Sequence, residues 1–150
     1  MISGIFPWIF VTGLALSPIS ECRGSIIYGL AVGLNPLGVF IVSAALNAIV
    51  APILFLLFRK VQLMKLAHRI VGKRISRTIE SWKKGFEVYE ELALMLFVAV
   101  PLPLTGAWTA TLISEVLDLN RMKASLAIAG GVLIAAVIVF TGTTGVLWLI

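Results

Sequence analysis

Cysteine is nearly absent from this chain. Its 150 residues hold one, Cys22, so no internal disulfide can form. Histidine is equally scarce. His68 stands alone in a polar segment, and no Cys/His cluster with zinc spacing exists. Charged residues make up 13% of the chain, where a typical soluble domain carries about 25%. The N-terminus lacks a basic n-region and an Ala-x-Ala cleavage site, so it is expected to be retained. The net charge of +5 raises the question of nucleic acid. Its distribution answers it: nine of the twelve Lys and Arg lie between Arg59 and Lys84. That is the pattern of one cytoplasmic loop and not of a nucleic-acid face. What fills the chain instead is apolar: 60% hydrophobic residues and a mean hydropathy of +1.08. These values predict an integral membrane protein.

The long apolar runs are of two kinds, broken and continuous. Residues 2–16 reach roughly 22 Å as a helix, short of the ~30 Å hydrocarbon core. Pro18 stops them, and an irregular polar stretch over 17–24 carries Glu21 and Arg23. A second apolar piece, 25–34, ends at Asn35-Pro36. The run 37–58 is continuous and reaches about 33 Å, enough to span. Asn47 lies near its middle, either as a bond to a neighbouring helix or as part of a site. The second half repeats the pattern. Residues 92–117 are apolar but are broken at Pro101-Leu102-Pro103-Leu104-Thr105-Gly106, which cannot continue a helix. A polar connector over 118–123 leads to a second spanning run, 124–140. Thr141-Gly142-Thr143-Thr144-Gly145 is expected to close that run, with 146–150 in the outer interface.

Between the halves lies the polar segment 59–91. Ile75, Ile79, Trp82, Phe86 and Tyr89 share one helical face, and Lys and Arg fill the others. The pattern fits an amphipathic helix at the cytoplasmic interface or a face for a soluble partner. Charge then orients the chain. If 92–117 crossed the bilayer, Arg121 and Lys123 would lie opposite the basic segment. If it is re-entrant, eleven of twelve cations are cytoplasmic. Pro18 pairs with Pro101 and Asn35-Pro36 with Asn120-Arg121, at nearly the same offset along the chain. The expected fold is all-α and integral to the membrane: an inverted repeat of re-entrant helical hairpin plus transmembrane helix, joined by a basic amphipathic cytoplasmic helix. One membrane domain, 1–150, divides into repeat 1 over about 2–58, the segment 59–91, and repeat 2 over about 92–150.

Buried charge in the first break calls for a partner, because a charged side chain at membrane depth costs about 2.5 to 3.5 kcal/mol. Glu21 and Arg23 either bond backbone and hold the hairpin, or Arg23 holds an anion while Glu21 carries a proton. The planar fork of Arg suits phosphate or carboxylate. A helix starting after Gly24 would add its amides. In the second break, Thr105 and the amides near Gly106 can meet an ion from the other side. Trp108 either packs between half-helices or walls a cavity. Glu115 and Asp118 near the connector are expected to be solvated.

Several of these stretches resemble one family. Glu21-Cys22-Arg23-Gly24-Ser25-Ile26, Asn47 with Pro52, and Tyr89-Glu90-Glu91 leading into 96–109 are similar to the small multidrug export proteins. That family in turn resembles the DedA-type membrane proteins with two re-entrant hairpins. The family's usual pattern has Pro near Ile27 and Gly at Leu104 and Ala110, so those three positions depart from it. Leu104 and Ala110 are expected to narrow any passage through the second hairpin. The DedA-type kinship implies proton-linked handling of polyprenyl-phosphate or phospholipid carriers.

The expectation is a multi-pass transporter of the inner (cytoplasmic) membrane, coupled to a proton or sodium, that moves a small or lipid-linked anionic substrate. Export of amphipathic drugs and a non-transporting membrane scaffold are the alternatives. The expected substrate- or ion-binding residues are Glu21, Arg23, Gly24, Asn47, Pro101, Pro103, Thr105, Gly106 and Trp108. No catalytic residue, metal or cofactor is expected. Membrane lipids are the expected partners. Two spanning helices enclose too little space for a pathway, so a homodimer is expected as well.

Overall fold

The computed structural model describes residues 4–60, 89–102 and 105–149, and among these every regular element is helical. Five helices have named bounds: α1 (Ile5–Leu16), α2 (Glu21–Ala31), α3 (Pro36–Lys60), α5 (Ala107–Val116) and α6 (Arg121–Leu149). Residues 89–99 form α4. The expected amphipathic helix lies outside the described residues except at its ends, where 59–60 close α3 and 89–91 open α4.

Among the described residues, two helices are long and apolar enough to cross a membrane. They are Pro36–Phe58, with mean hydropathy 2.5, and Arg121–Leu149, with mean hydropathy 2.4. Among the described residues, α1, α2 and α5 are too short to span. α3 packs against α6, α2 touches both, and α5 also touches both. The core consists of Ile26, Val39, Val98, Ile128 and Val132 with small residues such as Ala51, Ala107 and Ala136. Large apolar side chains, among them Ile5, Phe6, Leu37, Leu126 and Trp148, point outward and stay exposed. A soluble domain would bury most of these; a bilayer solvates them.

The local hydrogen bonds of the first half recur in the second at the offset that separates Asn35 from Asn120. α2 ends in a Schellman turn, with Leu34 N–H donating to Gly29 O (3.0 Å) and Gly33 N–H to Leu30 O (3.1 Å). α5 ends the same way, through Leu119 to Ser114 (2.9 Å) and Asp118 to Glu115 (3.3 Å). The left-handed residue of that turn is Gly33 (φ 76°) in one copy and Asp118 (φ 54°) in the other. The following helices are capped alike. Asn35 Oδ1 accepts from Gly38 N–H (2.9 Å), and Asn120 Oδ1 accepts from Lys123 N–H (3.3 Å) and Met122 N–H (3.0 Å).

Three expectations need correction. α2 begins at Glu21 and not after Gly24, so Arg23 and Gly24 lie in its first turn. The cause is the tight turn over 17–20, in which Ser17 O and Ser20 O accept from Glu21 N–H (3.2 Å) and Gly24 N–H (2.9 Å). α6 does not close at Thr141 but runs on to Leu149. The Thr141 and Thr144 hydroxyls donate to carbonyls of the preceding turn, at 2.8 Å to Val137 O and 2.8 Å to Phe140 O. Polar side chains satisfied inside the helix do not end it. Glu115 is not solvated. It pairs with Arg121 at 2.7 Å, and its side chain keeps only 11% of its exposure.

Candidate functional site

The two breaks meet. Each joins a short helix that ends to a short helix that begins, 17–20 between α1 and α2, and 100–106 between α4 and α5. Neither α2 nor α5 has a capping side-chain hydrogen bond from its own N-cap residue, Ser20 or Gly106. The orphan amides of α5 find their partner across the interface. The Glu21 carboxylate is directed at the backbone amides of Ala107 and Trp108. It lies so close to Gly106 that a Cβ there would collide with it. Glu21 is 5% exposed and takes a left-handed φ of 52°, a conformation that costs a non-glycine residue about 1–3 kcal/mol. A carboxylate on a helix N-terminus is favoured by the helix dipole, and that contact holds the strained residue in place.

Arg23 works on the other half of the second break. Its Nη1 donates to Leu102 O. Its Nη2 lies 3.1 Å from Val98 O, 3.2 Å from Val100 O, 3.2 Å from Thr105 O and 3.3 Å from Thr105 Oγ1. The prolines and the end of α4 leave these carbonyls without helical partners. The Thr105 hydroxyl shares the task, at 2.8 Å from Val100 O and 2.9 Å from Leu102 O. The guanidinium therefore caps the C-terminal end of α4, as the carboxylate caps the N-terminal end of α5.

The second break returns one bond. Trp108 Nε1–H donates to Leu16 O at the end of α1 (3.2 Å). Arg23 and Trp108 are separated by the same offset as Asn35 and Asn120. Each sits in the first turn of its helix and caps the helix before the other break. Trp108 is partly buried against the core, so it packs between half-helices.

Behind Glu21 lies a polar patch without internal satisfaction. Asn47 is fully buried on α3, beside the Glu21 carboxylate and the Cys22 thiol. Neither Nδ2 nor Oδ1 closes a hydrogen bond. Ser43, one turn earlier and also fully buried, has an unpaired Oγ. Arg23 Nε is the remaining buried polar atom without a partner in this region. Such groups cost about 1–3 kcal/mol each.

Of the residues expected to form a site, Glu21, Arg23, Asn47, Thr105, Gly106 and Trp108 are brought together. Gly24 lies one turn behind, with no room for a Cβ beside Ser20 (2.7 Å). Pro101 is exposed in the second break, and Pro103 lies outside the described residues with Leu104. Ala110 is fully buried in the core. Ser43 was missed, though its place four residues before Asn47 puts both on one helical face. The carbonyls of 98–105 carry no signal in their side chains at all.

A family model for small multi-drug export proteins matches residues 21–138. The match begins at Glu21 and takes in Asn47 and the whole second break. No curated protein and no solved structure matches the chain. The family description is one of export and not of catalysis, and with two membrane-length apolar helices it gives a membrane location.

Proposed function

The chain belongs to the small multi-drug export protein family, and beyond that membership we propose a proton-coupled membrane transporter of anionic substrates. The substrate group is a phosphate or carboxylate, small or lipid-linked. The crossed breaks are its site, and the two halves are re-entrant hairpins in an inverted repeat. The recurrence of turns and caps at one offset supports two copies of one unit. The cations gathered between Arg59 and Lys84, with Arg121 and Lys123, support opposite orientations in the cytoplasmic membrane. A homodimer supplies the second wall of the pathway.

The observation that carries this reading is the Glu21 carboxylate on the N-terminus of α5. It is an anion of the protein's own, seated where a substrate anion would sit. A proton taken up at a Glu21 carboxylate oxygen weakens its hold on the Ala107 and Trp108 amides. The neutral carboxyl then turns its O–H to the unpaired Asn47 Oδ1, and the substrate anion takes the vacated amides. Return of the carboxylate expels the anion and releases the proton. Arg23 and two helix N-termini give the site a positive field, which disfavours sodium beside Glu21.

A second reading has its own observation. The Arg23 Nη donors are engaged by carbonyls, which leaves Glu21 as the exchangeable charge. Glu21 would then bind an amphipathic cation, as the family description of drug export fits. Proteoliposomes holding a pH-sensitive dye separate the two. Proton movement on adding a polyprenyl phosphate, absent with ethidium and lost in Glu21→Gln, is the expected result. Proton movement with ethidium alone would select the drug reading, and none with either compound would remove coupled transport. Cysteines placed at Lys73 and at Arg121 should label from the same membrane face; opposite faces would end the re-entrant topology.

A further inference from the structure

Ser43 and Asn47 stand in the seam between α2 and α3. Two contacts fix the register of that seam. Gly29 has no room for a Cβ beside Val39 (2.6 Å), and Asn47 lies within reach of the Glu21 carboxylate and the Cys22 thiol. Val39, Ser43 and Asn47 recur every four residues on one face of α3, and all three are fully buried. Ser43 therefore falls level with Ser25, which is fully buried too. Among the described residues, the other fully buried hydroxyls bond their own helix. Ser25 donates to Cys22 O (3.0 Å), Thr111 to Ala107 O (2.6 Å) and Ser114 to Ala110 O (2.7 Å). Ser43 Oγ makes no such bond, and both polar atoms of the Asn47 amide are open as well.

The second half shows what this seam would hold if it only had to pack. At the offset that separates Asn35 from Asn120, Ser25, Ser43 and Asn47 correspond to Ala110, Ile128 and Val132. All three are fully buried, and all are apolar. Helix packing is met there without polar groups, so Ser43 and Asn47 answer another need. A buried water typically makes about three hydrogen bonds to groups of this kind. Ser43 and Asn47 supply two donors one helical turn apart, and the Glu21 carboxylate beside Asn47 supplies an acceptor. We propose that the seam binds a water molecule between Ser43, Asn47 and Glu21, and that this water hands Glu21 its proton. The second part rests on the coupled-transport reading above. In the transfer one O–H bond of the water breaks as an O–H forms on Glu21, and a hydronium ion from solvent restores the water. The water takes the Asn47 Nδ2–H and the Ser43 hydroxyl, so Asn47 Oδ1 stays open for the neutral carboxyl.

Infrared difference spectra of the full chain in lipid, recorded after a jump in pH, test both parts without any substrate. The Glu21 carboxyl band is the one that Glu21→Gln removes. A bound water is identified by the shift of its O–H stretch in water labelled with heavy oxygen. The wild type should show both. Ser43→Thr and Ser43→Val differ in the hydroxyl at nearly equal volume. Ser43→Thr should keep the water band. Ser43→Val should lose it and form the Glu21 carboxyl about fivefold more slowly, the ratio one hydrogen bond is worth. If neither larger side chain folds, Ser43→Ala against the wild type reads the same two quantities. The absence of an isotope-sensitive band in the wild type, or its survival in Ser43→Val, overturns the site. Equal rates in the Thr and Val variants overturn its part in proton transfer. A chain that shows the bands and the rate difference, but moves no protons with polyprenyl phosphate, supports the site and removes coupled transport.

Discussion

The two breaks solve one problem with opposite means. The first, over 17–20, is short and followed at once by both buried-region charges, Glu21 and Arg23. The second, over 100–106, is longer and holds two prolines and no charge. It leaves carbonyls at one end and amides at the other without helical partners. The first break supplies a cation for those carbonyls and a carboxylate for those amides. In return it receives one indole N–H at Leu16. Broken backbone within a membrane is tolerated only where protein or a cavity satisfies it. Here each break is satisfied by the other, so neither half of the chain is complete alone.

The largest effect is expected where the exchange is tightest. Gly106→Ala places a Cβ where the Glu21 carboxylate lies. The displaced charge stays buried without its amides, a loss of about 3–5 kcal/mol by analogy with broken buried pairs. Thermal unfolding in detergent should show it, and Glu21→Ala in the same chain should recover much of it. A Gly106→Ala protein as stable as wild type would mean the carboxylate does not need the α5 N-terminus.

Arg23 comes next. Arg23→Ala removes the donor from Val98 O and Thr105 O, while Val100 O and Leu102 O keep the Thr105 hydroxyl, at about 1–3 kcal/mol for each carbonyl that water does not reach. Arg23→Lys should recover less than half, because a point charge cannot span acceptors from Val98 to Thr105. Full stability of the Lys variant, read from the same melts, would reduce the contact to simple neutralisation.

The return bond is weaker. Trp108→Phe keeps most of the ring volume and removes one neutral hydrogen bond, so about 1 kcal/mol is expected. If the breaks support each other, a cycle of Trp108→Phe with Arg23→Lys should be non-additive by at least ~0.5 kcal/mol. Additivity would make them independent joints.

The smallest effect on stability is expected at Asn47. Its amide closes no hydrogen bond of ordinary geometry but lies within reach of the Glu21 carboxylate and the Cys22 thiol, so Asn47→Leu should change stability little in melts, within about 1 kcal/mol. Substrate-driven proton movement should nevertheless fall. A variant that transports like wild type would remove Asn47 from the exchange with Glu21.

Much of the frame was legible beforehand. Asn35-Pro36 and the polar connector over 118–123 read as interruptions between apolar runs, but the caps that Asn35 and Asn120 form, and the start of α6 at Arg121 rather than 124, were not legible. The breaks near Pro18 and Pro101 read as breaks because proline forbids the helix locally. The boundaries that failed depended on satisfaction rather than propensity. Thr141 and Thr144 resemble a stop until their hydroxyls are seen bonding back into α6. Glu115 resembles a solvated acid until the turn at Asp118 brings Arg121 beside it.

Sequence alone determined the membrane class, the two long helices, the two breaks and the common offset between them. Apolar run length, proline and charge distribution are written in the side chains, and each acts over a few residues or over the whole chain's composition. Tertiary structure alone decided what Glu21 and Arg23 face. Their partners are backbone amides and carbonyls in the opposite half of the chain. A main-chain group has the same chemistry in every residue, so no letter of the sequence marks which one a helix end will leave unpaired. Only the crossing of the two breaks sets those groups opposite the two charges.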